Sequence, residues 1–78
     1  MLTITLKDKE KTRLSIAKSG YTIRGFSKHI NVSSGYLSEI LNGKKEPSPT
    51  MAQKIAKGLG EETESIFLFH VVDIETTN

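Results

Sequence analysis

The chain has 78 residues, 36% of them hydrophobic and 26% charged, and no cysteine, which excludes disulfide frameworks, cysteine-ligated zinc and thiol nucleophiles and fits a reducing cytosol. A chain of this length buries only roughly 60% of the surface its unfolded form exposes, so it has room for one compact domain and little for an enclosed active site. The formal charge of +2 is unevenly spread: all 11 Lys and Arg fall between Lys7 and Lys57, residues 1 to 60 carry a net +7 and the rest −5, an electrostatic footprint for a polyanion that an ordinary solvated helical surface also produces.

At the amino end, Leu2, Ile4 and Leu6 alternate with Thr3 and Thr5; this stretch lacks the basic lead and long apolar run of a secretory signal and reads as part of the fold. A first helix is expected from about Asp8 to Ser19, before Gly20, but Leu14, Ile16 and Ala17 make no clean stripe and leave its packing face open. Thr22 is a good N-cap for a second helix, in which Ile23, Phe26 and Ile30 recur at i, i+3 and i+7 and which ends near Asn31. Asn31 suits the left-handed conformation that a sharp helix-helix corner often needs. Ser33 caps a third helix with the buried stripe Leu37, Ile40 and Leu41. Val32, at N′, can pack on Leu37 at N4 as a hydrophobic staple, and Asn42-Gly43 is the stop.

After the loop Gly43-Lys44-Lys45-Glu46-Pro47, Ser48-Pro49 supplies an N-cap followed by proline at N1, and Ala52, Ile55, Ala56 and Leu59 trace a fourth helix that ends before Gly60. A short fifth helix is expected over Glu62 to Phe67, with acidic residues at its positive end. Phe67 to Ile74 has strand composition and is expected to pair with Leu2 to Leu6. The longest apolar run, Ile66 to Phe69, falls far short of the ~20 residues of a membrane span. The expected architecture is all-α, a compact five-helix bundle with a small strand pairing of the chain ends. It forms one domain over residues 1–78, with a core at about 8–67 and a C-terminal extension at 68–78.

Two short helices joined by a tight turn, the second capped by Ser33, form the arrangement in which one helix lies in a DNA major groove while the other braces it across the phosphates. A generic helical hairpin shows the same periodicity. The residues from Thr22 to Ser48, with Val32-Ser33, Asn42-Gly43 and Pro47-Ser48 the most specific parts, then Ile55-Ala56-Lys57 and Leu59-Gly60, closely resemble the Cro/CI family. This is the xenobiotic-response-element-type (XRE) helix-turn-helix family of phage and bacterial transcriptional regulators, and the resemblance runs from about Gly20 to Phe67. It implies a lambda-repressor-like five-helix fold and a DNA-binding repressor or activator. The chain departs from the family's pattern at Ile23, where a polar residue that touches a phosphate is usual, and at Ile16 and Leu41, where many members pair an arginine with a glutamate. An apolar pair there avoids the desolvation cost of a buried ion pair. Glu61 and Thr63 stand where apolar residues are common.

With Leu37, Ile40 and Leu41 inward, the roughly 100° step per residue turns Gly35, Ser38, Glu39 and Asn42 outward and leaves Ser34 and Tyr36 on the flanks. Ser34, Gly35, Tyr36, Ser38 and Glu39 are therefore the candidate base readers: the serines can donate or accept, Glu39 can accept from a cytosine amino group, and Gly35 permits close backbone approach. The alternative is that Tyr36 caps the core and Glu39 is merely solvated. Candidate phosphate contacts are Thr22 with the free N–H groups opening its helix, Ser33, Asn42, and Arg24 and Lys28 one turn apart. Lys44 and Lys45 join them, since the resemblance places their loop against the sugar-phosphate backbone.

No motif surrounds His29 or His70, and no metal spacing, cofactor signature or paired catalytic carboxylates are visible, so no enzyme activity, metal or cofactor is expected. The expected function is a sequence-specific regulator of double-stranded DNA, a phage or mobile-element repressor in the bacterial cytoplasm and nucleoid, acting as a homodimer on an inverted-repeat operator and not on a membrane. The competing class is a protein-interaction module, such as an antitoxin-like or antirepressor-like subunit, which the apolar tail from Ile66 to Val72 would equally suit.

Overall fold

The structure, a computed structural model, describes residues 1–71. In chain order it comprises β1 (Leu2–Leu6), α1 (Lys9–Lys18), α2 (Ile23–His29), α3 (Ser34–Leu41), α4 (Pro49–Gly58), α5 (Thr63–Ile66) and β2 (Phe67–Val71). This is the expected five-helix architecture, closed by the expected pairing of the chain ends. Val72 to Ile74, the remainder of the expected second strand, and the extension to residue 78 lie outside the described residues. No helix among the described residues is long and apolar enough to cross a membrane.

Local chemistry sets where the helices start. Each of the first four is opened by a side chain that accepts from a backbone N–H in its first turn: Asp8 from Lys11 (3.1 Å), Thr22 from Gly25 (2.9 Å), Ser33 from Tyr36 (3.1 Å) and Ser48 from Met51 (3.1 Å). These bonds satisfy donors that the helix itself leaves orphaned. At the corner between α2 and α3, Asn31 takes φ +61°, as its type allows. The corner is closed by Val32 N–H donating to the Ser27 carbonyl at 2.9 Å. The buried Ser27 hydroxyl satisfies itself on the Arg24 carbonyl at 2.7 Å.

Phe26, Leu37, Leu41, Ala52, Ile55 and Ala56 are completely buried, and Ile16, Ile40, Ile4 and Phe67 nearly so. Ile16 and Leu41 thus belong to one apolar cluster, as expected of residues that replace an ion pair. The packing face of α1, left open by the sequence, is Thr12 and Ile16, while Leu14 is 53% exposed. Thr12 can sit inside because its hydroxyl donates to the Asp8 carbonyl at 3.0 Å. The end of α4 approaches α2 closely: a Cβ added at Gly58 would lie 2.5 Å from Ile30 Cγ2 and 3.0 Å from Phe26 Cζ.

β1 and β2 are antiparallel, with Leu2 opposite Val71, Ile4 opposite Phe69 and Leu6 opposite Phe67. Opposed residues share a face of the ribbon. That face is buried where Ile4 and Phe67 meet the helices and exposed further out, at Leu2, Phe69 and Val71. The fifth helix is one residue shorter at each end than expected: Glu62 stands as its N-cap, and Phe67 is already extended (φ −120°, ψ 149°), drawn into the ladder opposite Leu6.

Candidate nucleic-acid interface

Burial of Leu37, Ile40 and Leu41 fixes the rotation of α3 about its axis. Gly35, Glu39 and Asn42 are left exposed and Ser34 and Tyr36 half-buried, as the helical period dictates, whereas Ser38, expected to face outward, is half-buried as well. A Cβ added at Gly35 would have no heavy atom within 4 Å, so nothing inside the protein demands glycine there. Tyr36 packs partly against the core and offers solvent only part of its ring.

The loop after α3 folds back onto the helix it leaves. The N–H groups of Lys44 and Lys45 both donate to the Glu39 carbonyl, at 2.8 and 3.2 Å. The Lys45 ammonium lies 3.8 Å from Glu39 Oε1 and 5.6 Å above the Tyr36 ring, so Glu39 and Lys45, both exposed, form one cluster with the half-buried Tyr36. Both charges of the pair are about half exposed, and pairs of that kind contribute only about 0–1 kcal/mol. The contact therefore organises these side chains more than it stabilises the fold.

The structure adds two cations that sequence reasoning missed. Arg13, on α1, donates through Nη2 to Asn42 Oδ1 at 2.5 Å, and Lys9 Nζ donates to the Asn42 carbonyl at 3.4 Å. Lys9, Arg13, Lys44 and Lys45 therefore gather around the end of α3. The side-chain oxygen of Asn42 ties α1 to α3, and its amide N–H groups are not used in that bond. The tie lies beside the buried Ile16 and Leu41, so the two helices are still joined by polar atoms, at the surface. The available signal was the i, i+4 spacing of Lys9 and Arg13, which could not be used without knowing the face that α1 buries.

The remaining candidates lie at the start of α3 and on α2. Ser33 and Thr22 are both exposed and serve as caps, which leaves their hydroxyl protons free to point at an anion. Arg24 and Lys28 are exposed on α2. Ile23 is half-buried against the core, so it is a packing residue where a polar one is usual. His29 is stacked on Tyr21 with ring centroids 4.9 Å apart, away from the Lys45 cluster in sequence and contact. Among the described residues, no group of three or more His, Asp or Glu side chains is placed to hold a metal ion.

The model of a family described as helix-turn-helix, of the XRE or Cro/CI type, matches residues 13–66. No curated protein and no solved structure matches the chain.

Proposed function

Because the chain belongs to the XRE/Cro-CI-type helix-turn-helix family of DNA-binding regulators, we propose that it is a repressor from a phage or mobile element that reads an operator with α3. The observation that carries this reading is the exposed face of α3, with Gly35 and Glu39 open to solvent and four cations gathered at the helix end. Ser34, Gly35, Tyr36, Ser38 and Glu39 read base edges. Thr22, Ser33, Asn42, Lys44 and Lys45 hold phosphates, with Arg24 and Lys28 on the bracing helix, and Lys9 and Arg13 extend that set. Phosphate contacts position the protein, and base contacts specify the site. The place of action is the bacterial cytoplasm and nucleoid.

One α3 touches too few base pairs to single out a genomic site, so the working form is a homodimer on two half-sites ~34–36 Å apart. The exposed apolar residues Leu2, Phe69 and Val71 on one face of the terminal ribbon supply a surface for the second copy. The same surface would serve a protein-interaction module of the antitoxin-like or antirepressor-like kind, and one experiment separates the two. Selection from a random duplex pool should return inverted repeats, bound with an affinity that falls by roughly 10³ to 10⁵ between 50 and 200 mM salt if about six to ten phosphates are contacted. Failure to bind any duplex at low salt would reject the repressor reading in favour of the interaction module.

A further inference from the structure

Glu46 directly follows Lys44 and Lys45, and by charge alone it opposes their attraction for phosphate. Its carboxylate is committed elsewhere: Oε2 accepts from the backbone N–H of Ile4 at 2.7 Å, across 42 residues of sequence. Ile4 is buried in the middle of β1 and faces Phe69 across the ribbon. Its N–H points to the edge of β1 away from β2, where the two-stranded sheet has no further strand. A hydrogen bond to a carboxylate is shorter and stronger than one between neutral groups, and an edge N–H otherwise needs water or a partner.

The loop is thus gripped at both ends. On one side the N–H groups of Lys44 and Lys45 are held by the Glu39 carbonyl; on the other, Glu46 is tied to β1 and the next residue, Pro47, is buried. The two lysines are displayed between these anchors. We propose that Glu46 is a positioning residue for DNA binding: by bonding to the edge of β1 it holds Lys44 and Lys45 in place for the phosphates. A preordered loop loses less conformational entropy on binding than a free one. The same bond couples the amino-terminal strand, and with it the terminal ribbon, to the phosphate-binding loop. The inference rests on the assignment of Lys44 and Lys45 to phosphates.

The test compares variants of equal charge in the full chain, titrated with a random-sequence duplex at several salt concentrations. Glu46→Gln and Glu46→Ala each remove one negative charge, but only glutamine keeps an oxygen that can accept from Ile4. Glu46→Asp keeps the charge and withdraws it by one methylene. Positioning predicts that Glu46→Ala binds up to about tenfold more weakly than Glu46→Gln, the scale of one neutral hydrogen bond, and that Glu46→Asp binds more weakly than the parent. The salt slope should shrink by about one or two in Glu46→Ala and stay at the parental value in Glu46→Gln. In a Lys44→Ala/Lys45→Ala background, Glu46→Ala and Glu46→Gln should bind alike. Equal binding by Glu46→Ala and Glu46→Gln with both lysines present overturns the proposal, as does equal binding by the parent and Glu46→Asp. A lower melting temperature with an unchanged salt slope also overturns it, because that is the mark of a merely structural residue. The underlying assignment fails separately, if Lys44→Ala/Lys45→Ala leaves affinity and slope untouched.

Discussion

At the scale of single residues, two glycines in helices have opposite reasons to be glycine. Gly35 has open space around the position of a Cβ, so alanine there should stabilise the free protein by about 0.5–1 kcal/mol. In the proposed complex the same methyl would stand between the backbone of α3 and the base edges. Gly35→Ala is therefore expected to raise the melting temperature while weakening operator binding, measured by thermal circular dichroism and by titration; unchanged operator affinity would remove Gly35 from the reading face. Gly58 is packed beneath Phe26 and Ile30, and an added Cβ would come within 2.5 Å of Ile30 Cγ2. Gly58→Ala should destabilise by about 1–3 kcal/mol, the range for overpacked cores, and a melting temperature equal to the parent's would contradict that close approach. Asn31 was legible from its type, because few residues other than glycine tolerate a positive φ. Gly58 was not, because its constraint comes from side chains on another helix.

At the scale of elements, α3 and the loop that follows act as one unit. The sequence presents Lys44 and Lys45 as equivalent phosphate partners, but only Lys45 lies against Glu39 and Tyr36. Lys44→Ala is expected to weaken binding to all duplexes alike and to reduce the salt slope by about one. Lys45→Ala should do the same and also release Glu39, so base preference at one position of each half-site should change, by about the 1–3 kcal/mol of a single base contact. Glu39→Ala should remove that additional effect. Selection of bound sequences with each variant checks the point, and an unaltered preference in Lys45→Ala would show that the contact has no part in reading. The helix boundaries were readable because caps and stops act within three or four residues. The face of α1 was not, since its inward residues are one per turn and one of them is Thr12.

At the scale of the molecule, the ribbon begins inside the core at Ile4 and Phe67 and ends at Val71, which is 83% exposed. Apolar side chains beyond the body of a small domain add nothing to its own core and suit a surface that a second copy covers. Leu2→Lys/Val71→Lys, opposite each other on one face of the ribbon, is expected to leave the melting temperature close to the parent's, convert the proposed dimer into a monomer and abolish tight binding to an inverted repeat while sparing weak binding to a half-site. A variant that sediments and binds like the parent would place the dimer contact elsewhere.

The sequence by itself determined the five helices, the caps Thr22, Ser33 and Ser48, the corner at Asn31 and the core stripe of α3, because capping, backbone preference and helical period are all local; for the two ends it supplied only strand composition, and their pairing was decided by the tertiary structure. It also carried the family, through residues spaced closely along the chain. What only the tertiary structure decided is which side chains meet across the fold: Arg13 with Asn42, Lys9 with the same residue, and Glu46 with Ile4, contacts separated by 29, 33 and 42 residues. Polar pairs at such distances leave no periodic trace. They depend on the packing of the apolar stripes, which sets the rotation of α1, the course of the loop and the free edge of β1.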